Sequence, residues 1–73
     1  MMPLSMATEG SHCRVDKIMA GKGLARRLAE MGFIENAPLE IYRSEAGSVI
    51  VSVSGQKYAI SRGIAMKIMV HPS

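Results

Sequence analysis

Ser48-Val49-Ile50-Val51-Ser52-Val53-Ser54 is the run on which the fold turns. Val49, Val51 and Val53 face one way while Ser48, Ser52 and Ser54 mostly face the other, with Ile50 the exception; a period of two marks a strand with one face in a core. Gly55-Gln56 is a tight connection to a second extended run, Lys57 to Ser61, so the two predict an antiparallel hairpin.

Working upstream, Leu39-Glu40-Ile41-Tyr42-Arg43 alternates in the same way and reaches the hairpin through the short turn Glu45-Ala46-Gly47. It is entered from the polar turn Glu35-Asn36-Ala37-Pro38, in which Asn36 tolerates a positive φ. Before that turn the period changes. Leu24, Leu28 and Met31 stand at i, i+4 and i+7, with Ala25 and Ala29 beside them and Arg26, Arg27 and Glu30 elsewhere on the surface, which predicts an amphipathic helix of about three turns. Gly21-Lys22-Gly23 breaks the extended pattern ahead of it. Gly32 stands where a left-handed helix end is needed, and Phe33 and Ile34 are placed to fold back on the last turn. Still earlier, His12 to Met19 predicts a first strand whose alternation is imperfect: Cys13, Val15 and Lys17 against His12, Arg14, Asp16 and Ile18.

Downstream of the hairpin, Ser61 is positioned to cap a short helical turn over Arg62 to Lys67, Ile68-Met69-Val70-His71 makes a last strand, and Pro72 ends it. The expected fold is mainly β: about five short strands with one α-helix between the first and second. Connections of a few residues favour a small barrel closed on itself, because closure removes exposed edges. No repeat, linker or low-complexity tract divides residues 1–73, which are expected to form a single domain.

Size limits what such a fold can do. A chain of 73 residues buries only about 60% of the surface its unfolded form exposes, so the core is thin and leaves no volume for a deep substrate cavity. With one Phe, two Tyr and no Trp, that core must be aliphatic, and Met31, Met66 and Met69 sit at positions that suit core filling. Nine Lys and Arg against six acids give a net charge of +3, spread along the chain, which favours acidic partners weakly. The lone Cys13 has no disulfide partner, Met1 to Ser11 lacks the basic start and apolar stretch of a signal peptide, and the longest apolar windows, such as Ile64 to Val70, fall far short of the roughly 20 residues that span a bilayer. A cytoplasmic location is expected, with no direct membrane insertion.

The segment Gly21-Lys22-Gly23-Leu24-Ala25-Arg26-Arg27-Leu28-Ala29-Glu30-Met31-Gly32-Phe33 resembles the G-x-G-L-x-x-R-L-x-E-[ML]-G-[LF] helix block of the FeoA family. Arg14-Val15 ahead of it fits that family's first strand. Leu39-Glu40-Ile41, Ser48 to Gly55, Ala59-Ile60 and Arg62 to Val70 extend the resemblance over almost the whole length. It implies an SH3-like barrel with the helix between its first two strands. It also implies an accessory role beside FeoB, the membrane Fe(II) transporter with a cytoplasmic GTP-binding domain, through protein–protein contacts. The same module is similar to the C-terminal domain of iron-dependent repressors of the diphtheria-toxin-repressor type, so fold alone does not settle the role. Two departures stand out: Asn36 replaces the family's usual Gly, and the turn from Arg43 to Ser48 is shorter than in many members.

Candidate chemistry is sparse. Gly21-Lys22-Gly23 ahead of a helix has the flavour of a phosphate loop, but the spacing G-x-x-x-x-G-K-[ST] is missing, and two glycines that ease a sharp strand-to-helix turn account for it. His12, Cys13 and His71 are the only soft or imidazole ligands for iron or zinc; three or four groups would have to converge, and neighbouring His12 and Cys13 point to opposite faces of a strand. No cofactor is expected. The alternative to metal binding is an inward Cys13 with His12 and His71 solvated near the chain ends. No carboxylate pair or Ser-His-Asp set has motif context, and Cys13 has no helix start to lower its pKa, so the chain is not expected to be an enzyme. Lys22, Arg26 and Arg27 form the one compact basic group; they serve either as a solvated helix face or as anchors docking on FeoB. The competing functions are a metal-binding or iron-responsive regulatory module and a small-barrel nucleic-acid binder, the latter short of aromatics because only Phe33, Tyr42 and Tyr58 are available. Exposed barrel edges or chain ends leave a homo-oligomer open.

Overall fold

The computed structural model describes residues 1–73. Six strands, β1 (Met2–Pro3), β2 (His12–Ile18), β3 (Pro38–Ser44), β4 (Ser48–Val53), β5 (Gln56–Ser61) and β6 (Ile68–Pro72), form one sheet in the order β1-β6-β2-β3-β4-β5. Every neighbouring pair is antiparallel. Helix α1 (Lys22–Met31) links β2 to β3, helix α2 (Arg62–Ala65) links β5 to β6, and a 3-10 turn, Leu4–Met6, follows β1. No helix is long and apolar enough to cross a membrane.

Along β4 the alternation is realised residue by residue: Val49, Val51 and Val53 are buried, and Ser48, Ile50 and Ser52 are half-buried on the other face. Val53 pairs with Gln56, so the hairpin turn is Ser54-Gly55, one residue earlier than Gly55-Gln56. Both residues have positive φ, 54° and 76°, as a two-residue turn matched to the strand twist demands. The irregular alternation of the first long strand has a cause in the sheet. Val15 pairs with Val70 and Lys17 with Met69, which leaves Asp16 bulged. An extra residue shifts the side-chain phase, so Lys17 faces solvent while Ile18 packs on the core. A second bulge at Tyr42 in β3, between the pairs Ile41–Val51 and Arg43–Ile50, turns that tyrosine outward.

Three features differ from expectation. A sixth strand exists because Met2 and Pro3 add to β6, opposite Val70 and Met69. That addition puts α1 between the second and third strands rather than the first and second. The sheet also does not close, since β1 and β5 are its two ends and do not pair. Closure fails for a steric and covalent reason: Pro3 has no N–H to extend the ladder, and the chain at once turns away as Leu4–Met6. The gap is filled instead. Leu4 and Ala65, both 0% exposed, enter the core from the 3-10 turn and from α2.

Arg62 stitches the same gap together. Its guanidinium donates from Nη1 to Ser5 O at 3.2 Å, from Nε to Ala46 O at 2.9 Å, and from Nη2 to Ser44 Oγ and Glu45 O. Five donors in a rigid plane suit carbonyls arriving from two directions, and lysine could not reproduce the pattern. Ser61 caps α2 as expected, its Oγ accepting from Ile64 N at 3.4 Å.

The core is aliphatic: fifteen buried apolar residues form a single cluster, with Phe33 its one aromatic. Methionine does not fill it. None of the seven is buried; Met1, Met6, Met19 and Met66 are exposed, Met2 and Met31 only lean on the core, and Met69 is half-buried. Branched Val, Ile and Leu already fit the strands, and Met66 falls at the exposed end of α2.

Candidate functional site

Helix α1 stops where expected. Gly32 adopts φ 111°, and its N–H and that of Phe33 return to the carbonyls of Ala29 and Leu28, which closes the helix in the left-handed manner. Phe33 then drops into the core at 1% exposure, whereas Ile34 stays 55% exposed and takes no part in the closure. A Cβ at Gly32 would collide with Ser54 Oγ, so the helix end rests directly on the β4–β5 turn. Asn36, at φ 68°, holds the next turn against β2: its N–H donates to Val15 O at 2.7 Å and its carbonyl accepts from Arg14 Nη1 at 2.9 Å. A left-handed asparagine thus takes the place of the glycine usual in the resemblance.

At the other end of α1 the two glycines are not needed for a special backbone. Gly21 is extended, with φ −67° and ψ 169°, and a Cβ at Gly21 or Gly23 would meet open space. The steric account expected for them is therefore not realised.

Packing of α1 leaves a groove. Leu28 is buried, Leu24 and Met31 are half-buried, and these side chains face Ile60 and Ile64 across a hollow of about 270 Å³ whose one charged lining residue is Arg27. Ala59 and Ser61 of the β5 edge complete its far wall. Lys22, Arg26 and Arg27 are all exposed, and none is in an ion pair; the pairs present are Arg43–Glu45 and His71–Asp16. Arg26 and Glu30 do not bridge. A second hollow, of about 320 Å³, lies at the hairpin end between His12, Glu40, Ser52 and Ser54 and is more polar.

The three metal candidates do not form a site. Cys13 is buried and its thiol is raised above its ordinary pKa by desolvation, so it stays protonated and a poor ligand at neutral pH. His12 is exposed on the opposite face of β2. His71 is half-buried and its Nδ1 contacts Asp16 Oδ1 across the bulge, a partnered position rather than the solvated one expected. Nowhere do three or more His, Cys, Asp or Glu side chains converge.

Of the aromatics, Phe33 is buried and tilts against half-buried Tyr58 at 6.2 Å between ring centroids, while Lys57 Nζ sits 4.2 Å over the exposed ring of Tyr42. Tyr42 is thus the one well-exposed ring, and Lys57 covers one of its faces. The Arg62 stitching and the groove wall of Ala59, Ser61 and Ile64 escape sequence reasoning, because both depend on which segments meet. The signal that comes nearest is Ile64, an apolar residue in a helical turn too short to bury it.

Comparison with known proteins places this geometry. The family model described as FeoA domain matches residues 2–72. A protein of Methanocaldococcus jannaschii, "Putative Fe(2+) transport protein A", is 47% identical over 70 residues, covering 96% of this chain and 85% of that protein. The crystal structure of an iron uptake regulatory protein (FeoA) superposes with a TM-score of 0.91 at 32% identity, covering 99% of this chain and 97% of the other. The zinc-complexed FeoA of Stenotrophomonas maltophilia, described as a procaryotic SH3 domain protein, superposes with a TM-score of 0.85 at 22% identity, over 97% of this chain and 91% of the other, and shows the SH3-like fold.

Proposed function

From the premise that the chain belongs to the FeoA domain family, we propose that it is an accessory protein of ferrous-iron uptake that binds the cytoplasmic side of a FeoB-type transporter and regulates it through protein–protein contacts. One observation carries the reading: three unpaired cations, Lys22, Arg26 and Arg27, stand on α1, which also borders an apolar groove. Arginine beside apolar surface is the composition of an interface anchor, able to stack, to bond carboxylates and to lose water at modest cost. The protein has few places to put chemistry of its own. Several of its polar side chains are committed to holding turns, as those of Arg62, Arg14 and Ser61 are, and its interior is sealed by aliphatic groups.

In this reading Fe(II) is the transporter's cargo. The accessory chain presents a rigid exterior, and an SH3-like sheet suits that task because a well-ordered surface loses little entropy on docking. Titration of the cytoplasmic region of the transporter from the same cell with this protein, followed by calorimetry, tests it. Saturable binding that Arg26→Glu and Arg27→Glu weaken is expected. No association, together with transport unchanged by the protein, would sink the proposal.

A further inference from the structure

The edge of β5 and the groove beside it fit together in a way the foregoing does not use. In a two-residue hairpin the pair flanking the turn, here Val53 and Gln56, exchanges both of its backbone bonds. The alternation then gives Gln56, Tyr58 and Ile60 to β4 and turns outward the N–H and C=O groups of Lys57 and Ala59 and the N–H of Ser61, while the Ser61 carbonyl opens α2 as its N-cap. Arg62 N donating to Gly47 O at 3.2 Å continues the same phase and confirms it. No backbone group of Lys57 or Ala59, nor the N–H of Ser61, bonds to any turn or loop of the protein. All three residues are exposed.

An unpaired edge of this length is usually blunted. This one is flanked by the apolar hollow, whose floor is Leu24, Leu28, Met31, Ile60 and Ile64 and whose rim carries Arg27. The groove contains no acid. Its charge and that of the neighbouring Lys22 and Arg26 are uncompensated within the chain, and the edge strand itself carries Lys57, whose ammonium lies over Tyr42. We infer that β5 accepts an extended segment of another protein as an added strand, with an apolar side chain of that segment in the groove and a carboxylate of the same segment on Arg27. The inference rests on the accessory role proposed above and names the chemistry of the partner segment: extended, apolar and acidic in alternation.

Each part has a physical reason. Main-chain pairing along Lys57, Ala59 and Ser61 supplies orientation, and pockets for alternate side chains supply selectivity. Cations around the groove admit an acidic strand and repel a basic one. The same argument disfavours a second copy of this chain. Two β5 edges paired antiparallel would set Lys57 and Arg27 of both copies along one seam, with a charge of +3 on each chain.

A capped peptide in which glutamate alternates with leucine, and a counterpart with lysine for glutamate, serve as probes against the intact protein. Nuclear magnetic resonance reads both affinity and amide exchange. Saturable binding of the glutamate peptide is expected, with slowed exchange at Lys57, Ala59 and Ser61, at least about tenfold weaker binding after Arg27→Glu or Leu24→Lys, and no binding of the lysine peptide. Circular dichroism establishes that the variants are folded, and Ala59→Pro, which removes one outward N–H, provides a second route to the same loss. Failure of the glutamate peptide to bind, binding that survives both groove variants, or protection of the same amides by self-association alone overturns the inference. The accessory role survives any of these results, since calorimetry with the transporter decides it separately.

Discussion

The two ends of the sheet solve one problem in opposite ways. At β1 the exposed edge is almost abolished: the strand is two residues long, ends in proline, and gives way to a turn whose Leu4 is wholly buried and whose Ser5 carbonyl is held by Arg62. At β5 the edge runs for six residues, and beside it lies an apolar groove lined in part by the core residues Leu28 and Ile60. A small protein with a sealed interior has only its outside for work, and here one end is committed to stability while the other is left free.

Substitutions can break this contrast. The largest effect is expected at the sealed end, where Leu4→Ala should cost about 2–5 kcal/mol in urea denaturation through the cavity it leaves, whereas Ala59→Ser on the β5 edge should stay within about 0.5 kcal/mol. Equal costs at the two sites would erase the distinction. Next comes Gly32→Ala, expected to cost about 1–3 kcal/mol, because a left-handed φ and a collision with Ser54 Oγ act together. The collision should also push α1 away from the hairpin, so amide shifts at Leu24, Ile60 and Ile64 are the accompanying readout.

Arg62→Lys sharpens the comparison from the other side. Loss of the planar set of donors should lower stability by about 1–2 kcal/mol and speed amide exchange at Ala7 and Ser48, whose bonds lie in the stitched segments, while the β2–β3 ladder keeps its protection. The smallest effect is a pH dependence that tests how well the core excludes water. Burial raises the Cys13 pKa in the folded state, so this group's contribution is complete below the unfolded thiol value of about 8.5 and declines as pH rises through the higher folded value. Stability should therefore fall in mildly alkaline solution relative to Cys13→Ala, and iodoacetamide should label Cys13 only upon unfolding.

Much of the architecture is legible in local pattern. The valines of β4, the i, i+4, i+7 stripe of α1, the left-handed Gly32 and Asn36 and the Ser61 cap are dictated by neighbours a few residues away, and each is realised. Even the irregular alternation in β2 was a true signal, since a bulge at Asp16 writes a one-residue phase shift into the chain. The candidate site was half visible: Lys22, Arg26 and Arg27 belong to one helix by spacing alone, but the apolar hollow beside them joins residues more than thirty positions apart in the chain. Methionine misled for the same reason, because an unbranched apolar side chain suits a core and a surface equally and only packing decides between them.

By itself the amino-acid sequence determined an aliphatic, mainly β domain with one amphipathic helix, since periodicity and turn chemistry act over a few residues and need no distant partner. Whether the sheet closed, which edge stayed open and what Arg62 would hold were decided only in three dimensions. Those outcomes depend on where a proline-ended strand, a 3-10 turn and a short helix meet, and such meetings are set by the packing of the whole core rather than by any segment within it.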